Sequence, residues 1–348
     1  MHSGPCIGMW GPLSPSVGRS IYGEVLLQNN ASNTQDLRER NASLIQWPSQ
    51  YMTNLSLAPY FSAYFYDEGG VSFARNESDL LRSFEFGAVN SKQLILGSTS
   101  KDGTASFYGT VPLYPNHTSP RDYKQALLTI WGSSVSSRVS SQYPLRRFFG
   151  SVQAAIIQAD ADQKVICPTL KLANLLANRR TTTTTAATHD DHQVDAAIEV
   201  RSFSFQHHTY SGCDACELLE VCGTQRTQVT KEWASHGSDI PFIWDSNRGP
   251  NVLDYSRIVC NMSDDDEQVR ADMQRYWAAF SSLGHAGIPE SEWPVMGGSR
   301  SGSSARKNEF VTLAFRGQSE GGNALIENYK EDDCRFWDTI RPPITHNT

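Results

Sequence analysis

The chain has 348 residues, 39% hydrophobic and 19% charged, a composition that is globular rather than disordered and long enough to bury a substantial core. Its net charge of -7, with no basic stripe, argues against a nucleic-acid surface, which needs Lys and Arg clustered against phosphates. No apolar run approaches membrane-spanning length, and the size suits either about two average domains or one large α/β domain.

Residues 1–20 are rich in Gly, Pro and Ser around Trp10, the composition of a loop. The opening Met1-His2-Ser3-Gly4-Pro5-Cys6 is neither basic nor followed by an apolar segment, so it does not read as a secretory signal. Yet six Asn-x-Ser/Thr sequons, at Asn30, Asn41, Asn54, Asn76, Asn116 and Asn261, hint at a secreted parent. Seven cysteines point the same way, and the odd number leaves at least one unpaired within the chain. A secretory pattern without a signal leads to the expectation that a front segment lies upstream of Met1.

Helical stretches are expected at Ile21–Gln28 and Leu37–Tyr51, a strand at Pro59–Phe65, and a helix at Glu77–Phe86 capped by Asn76 or Ser78. Gln93–Gly97 is a short apolar run of buried-strand type. It ends in a small polar loop holding Asp102, the position where open α/β sheets keep their chemistry. Asp102-Gly103 is equally a common turn pair. Residues 119–160 carry helical periodicity, and Cys167-Pro168 opens a further helix over Thr169–Asn178, with Pro168 in the first turn, where no donor is needed.

Residues 179–196 form a low-complexity insert, expected to be an exposed loop. His189 and His192 within it lack a helix to hold them and make a poor metal pair. Val200–Phe205 alternates as a strand. Cys213-x-x-Cys216 with Cys222 suits a local disulfide better than zinc, because His207-His208 is a poor second ligand pair. The pairing of these cysteines, and of Cys6 and Cys260, stays open.

In Ala234–Trp244, Gly237 permits a tight bend and Pro241 precedes the aromatics Phe242 and Trp244. His236 is therefore expected on a loop at a cleft edge, where an imidazole can shuttle protons. A long helix begins at the cap Ser263, with Asp264, Asp265, Asp266 and Glu267 favoured by the dipole of its first turn. Val269, Met273, Trp277 and Phe280 form its core stripe, and Gly284 ends it. Phe310–Phe315 reads as a strand and Ala324–Tyr329 as helical.

Asp102 followed by His236 fits the second and third members of the Ser, Asp/Glu, His order of α/β-hydrolases. The first member would sit on a G-x-S-x-G elbow, and that pattern is absent. Gly297-Gly298-Ser299-Arg300-Ser301-Gly302 has the wrong spacing and follows the His.

The pieces in order are Ser3-Gly4 with Trp10, Leu94–Gly97 through Asp102-Gly103, Val165–Pro168, His236-Gly237 through Phe242, Met273–Phe280 with Trp293-Pro294, and Cys334–Trp337. Together they resemble the type-B carboxylesterases, the group that includes the cholinesterases and the non-enzymatic neuroligins. The resemblance implies the C-terminal part of an α/β-hydrolase fold, residues 1–348 forming one truncated domain with a central, mostly parallel sheet flanked by helices. It implies His236 as catalytic base and Asp102 as its acid, where most members carry Glu, and Trp10 as an acyl-pocket aromatic. It implies a disulfide between Cys167 and Cys334. The implied activity is hydrolysis of a small-molecule carboxylic ester without metal or organic cofactor, in a secreted glycoprotein. The nucleophilic Ser would lie upstream of Met1, leaving the chain close to inert alone. The other implication to weigh is a non-catalytic, cholinesterase-like binding or adhesion domain.

Overall fold

The computed structural model describes residues 3, 7, 15–41, 44–45, 81, 92–103, 119–178, 198–207, 234–244, 262–297 and 310–340. Trp10, the 179–196 insert, the strand expected at 59–65, the helix expected at 77–86 (apart from residue 81), and Cys6, Cys213, Cys216, Cys222 and Cys260 lie outside the described residues. The chain divides into two compact units, 5–86 and a larger one made of 1–4 with 87–348.

In the smaller unit, α1 (Pro15–Gln28) begins earlier than its periodicity indicated, and α2 (Thr34–Arg38) ends two residues into the expected Leu37–Tyr51 stretch, of which 42–43 and 46–51 lie outside the described residues. Asn33 stops the intervening turn by capping α2, its side chain accepting from the Gln35 and Asp36 amides.

The larger unit is built on a four-stranded sheet in the order β1 (Gln93–Thr99), β2 (Glu199–Phe205), β3 (Val311–Phe315), β4 (Ala324–Glu327). The first two pairings are parallel and the last is antiparallel. Parallel neighbours need long crossovers. That from β1 to β2 runs through α3 (Pro120–Trp131), α4 (Ser133–Gln142), α5 (Val152–Ala161), a π-helical turn at Asp162–Ile166 and α6 (Cys167–Ala177). That from β2 to β3 runs through the short α7 (Ile240–Ile243) and the long α8 (Asp264–Leu283). After β4 comes α9 (Glu331–Thr339).

On one face of the sheet, Ile95, Phe203, Phe205, Leu313 and Phe315 pack with Val269, Met273 and Tyr276 of α8 and with Trp293 and Phe242. On the other, α6 lies over β1 and β2, with α9 beside it. With both faces covered, β2 buries every residue after Glu199, so its alternation does not mark a solvated face. Arg201, on the α8 face, is buried with Nε and Nη2 paired locally, while Nη1 has no hydrogen-bond partner among the described residues. Nε donates to His285 Nδ1 at 2.7 Å, and Nη2 donates to the Ile288 carbonyl at 3.0 Å and to Glu290 Oε1 at 2.8 Å.

The sequence expectation of a helix at Ala324–Tyr329 is corrected: residues 324–327 are β4, paired with β3 from Val311↔Glu327 to Ala314↔Ala324. Helix formers there yield to an available ladder, since an edge needs partners more than propensity matters. The capping of α8 is the expected one. Ser263 accepts from the Asp266 amide while Asp266 accepts from the Ser263 amide, a reciprocal box.

Candidate active site

β1 delivers Asp102. Its last residues pass Gly97, which lies opposite Phe203 on β2; a Cβ there would come within 2.2 Å of the Phe203 ring. Beyond Thr99 the chain turns, and Gly103 crosses α5 so closely that a Cβ would meet the Ile157 carbonyl at 2.3 Å. Asp102, between them, is only 3% exposed.

Both carboxylate oxygens of Asp102 are engaged. Oδ2 accepts from the Thr99 amide at 2.8 Å and from the Ser3 hydroxyl at 2.8 Å. Oδ1 lies 2.7 Å from His236 Nδ1. Ser3 is itself fixed by its amide, which donates to the Gly97 carbonyl at 2.9 Å. It holds a left-handed backbone (φ 44°), a strained geometry for a residue with a Cβ.

The His236 turn is docked on the same loop. The Lys101 amide donates to the Ala234 carbonyl at 3.0 Å, and Lys101 and Ser235 form a parallel bridge. The bend after His236 uses Gly237 at φ 80°, and Ser238 closes it by donating its amide and hydroxyl to the Ser235 carbonyl, at 3.0 and 2.7 Å. Pro241 then starts α7. Chain segments 134 residues apart thus meet through backbone pairing before any side chain is involved.

The imidazole of His236 is 40% exposed, while the carboxylate it faces is fully enclosed. With Nδ1 turned to Asp102, Nε2 has no hydrogen-bond partner among the described residues. Burial disfavours the charged ring, but the hydrogen bond and charge of Asp102, with Asp239 beyond, outweigh it and raise the His236 pKa above 6.5. A ring held at Nδ1 by a carboxylate and open at Nε2 can take a proton from a hydroxyl and return it to a leaving group.

Lys101 leads away from the site. Its ammonium donates to Gln158, whose amide donates to Asp162 Oδ1 at 2.9 Å. The other Asp162 oxygen accepts from Tyr143 at 2.9 Å and from Lys330 at 3.0 Å. Burial lowers the Lys101 pKa to about 8, helped by the nearby Lys330 charge. Asp333, which Arg147 binds with two nitrogens at 2.6 and 2.7 Å, is held at about 2 against burial by that pairing and by Lys330. This network joins α9 to the turn before α6, and the disulfide between Cys167, the first residue of α6, and Cys334 joins α9 to α6, with an S–S distance of 2.04 Å.

Of the residues singled out in the sequence, the structure brings Asp102 and His236 into contact and links Cys167 to Cys334, while Trp10 lies outside the described residues. Two further contacts had no local signal. Ser3 reaches Asp102 across 99 positions. His207, weighed only as a poor zinc ligand, lies between Asp266 and Glu320 instead. Among the described residues no cluster of three or more His, Cys, Asp or Glu could hold a metal.

The mixed sheet with helices on both faces is an α/β-hydrolase fold, with Asp102 on the loop after a parallel strand. The particular likenesses are to esterases. A solved structure described as a thermophilic PNB esterase is similar with a TM-score of 0.55 at 14% identity, over 94% of this chain and 55% of that one. A PNB esterase structure gives 0.52 at 15%, over the same shares. The likeness is one of fold, and the chain spans about half the length of these structures. No family model matches the sequence, and no curated protein matches it.

Proposed function

We propose that this chain carries the acid and base of a serine-type carboxylic ester hydrolase, with Asp102 orienting His236 and His236 serving a hydroxyl nucleophile supplied from outside this chain. The observation that carries the reading is the enclosed carboxylate 2.7 Å from the Nδ1 of a half-exposed imidazole whose Nε2 is open. His236 would take the proton of the attacking hydroxyl, and Asp102 would hold the tautomer and stabilise the imidazolium. His236 would then protonate the departing alcohol, and water would repeat the cycle on the acyl intermediate. The substrate is a small-molecule carboxylic ester. The exposed sequon residues Asn30 and Asn41 support a secreted glycoprotein.

The test has two arms. The chain as it stands should show no ester hydrolysis above His236→Gln and no labelling by a fluorophosphonate. A polypeptide extended by the coding sequence ahead of Met1 should hydrolyse p-nitrophenyl esters, with activity falling about 10³-fold or more in His236→Gln. Fluorophosphonate labelling of a Ser within residues 1–348 would overturn the external nucleophile. An extended, folded polypeptide without esterase activity would overturn the enzymatic reading in favour of a binding domain.

A further inference from the structure

We propose that His207 is a positioning residue for His236: paired on both ring nitrogens, it backs Phe242 and so fixes the turn that carries His236. Its bearing on catalysis rests on the esterase reading above.

His207 follows β2 and is 2% exposed. Nε2 lies 2.6 Å from Asp266 Oδ1, and Nδ1 lies 2.8 Å from Glu320 Oε2. A ring that donates to a carboxylate from each nitrogen is an imidazolium, with no site left to exchange a proton with substrate. The Gly317 amide lies 2.9 Å from the same Glu320 oxygen and 3.2 Å from His207 Nδ1; with Nδ1 protonated it donates to Glu320, the nearer acceptor. One cation therefore joins the end of β2, the first turn of α8 and the β3–β4 connection.

The face of this junction is aromatic. His207 meets Phe242 edge-on, with centroids 5.6 Å apart at 83°, and Phe205 packs on Phe242 at 5.0 Å. Phe242 belongs to α7, which starts four residues after His236 and packs on α8, the helix that supplies Asp266. The Phe242 amide donates to the Asp239 carbonyl at 3.2 Å, closing the turn back toward His236. The His236 turn is thus held from two sides, by Asp102 at the ring and by Phe242 behind it. If His207 loses its charge, the buried Asp266 and the partly buried Glu320 are left against a neutral ring, and the junction under Phe242 loosens.

The charged groups facing His207 are Asp266 and Asp265 from α8 and Glu320 from the β3–β4 connection; α7 presents the uncharged Phe242 ring and β2 presents Phe205. Burial opposes the imidazolium, but its two carboxylate partners raise the pKa to about 9.

The experiment is an NMR titration of the whole chain with ¹⁵N-labelled histidine from pH 5 to 10, with His236→Gln used for assignment. The His236 ring signals should show their own titration and a second, smaller step near pH 9, when His207 deprotonates. Glu320→Gln, at the rim of the junction, should keep the fold and move that step down by about one unit. His207→Gln should abolish it. Absence of the second step in the unmodified chain, or a step that stays put in Glu320→Gln, overturns the proposal. These readouts do not depend on hydrolysis, so failure of the esterase reading leaves them intact, and the coupling can fail while hydrolysis stands.

Discussion

Asp102 performs two tasks with two oxygens, and the division explains why its neighbours matter. Oδ2 is occupied by Thr99 and Ser3, so the carboxylate cannot rotate without giving up two donors, and Oδ1 stays aimed at His236. Replacing Asp102 by Asn removes the charge that outweighs burial at the imidazole. The His236 pKa should then fall by about 1–3 units, read by the same ¹⁵N titration; an unchanged value would mean that the contact does not persist in solution. The stability effect has a definite sign. Because the folded pKa is raised, the pair stabilises the fold fully below about 6.5, the unfolded value, and the contribution is lost as pH rises through the folded value. At this scale the sequence offered Asp102 and His236 through their order and local turn chemistry. It named Ser3 only as a piece of the resemblance and His207 only as a poor ligand; their contacts, 59 to 113 positions distant, leave no local pattern.

Elements were legible where pattern and environment agree. β1, β3 and the capped α8 follow their hydrophobic runs and end residues. β4 was misread because Ala324-Leu325-Ile326-Glu327 suits a helix locally, and only the exposed edge of β3 decides otherwise. Gly97 shows the reverse, a strand residue chosen by a neighbour: the Phe203 ring fills the space of its Cβ, and Phe203 is itself locked among Trp277, Trp293 and Phe315. Gly97→Ala should therefore cost about 1–3 kcal/mol by overpacking, measured by denaturant unfolding. It should also disturb the Ser3 amide, which donates to the Gly97 carbonyl, so the His236 pKa should shift in the same variant.

At the scale of the larger unit, α9 is fastened by charge and by sulfur. The Asp162, Lys330, Asp333 and Arg147 cluster lies under it, and Cys334 bonds to Cys167 across 167 positions. Cys167→Ser with Cys334→Ser should cost about 2–5 kcal/mol in unfolding free energy, and the double variant should lose no more than either single one. A cost near zero would show that the ion cluster alone secures the helix. The bond also draws a ring through the chain that contains β2, β3, β4, His207 and His236 while leaving Asp102 outside. Proteolytic scission within the ring, at the 179–196 insert for example, would put His236 and Asp102 on separate polypeptides that remain tethered. Such nicked material would migrate as one band on a non-reducing gel and as two after dithiothreitol.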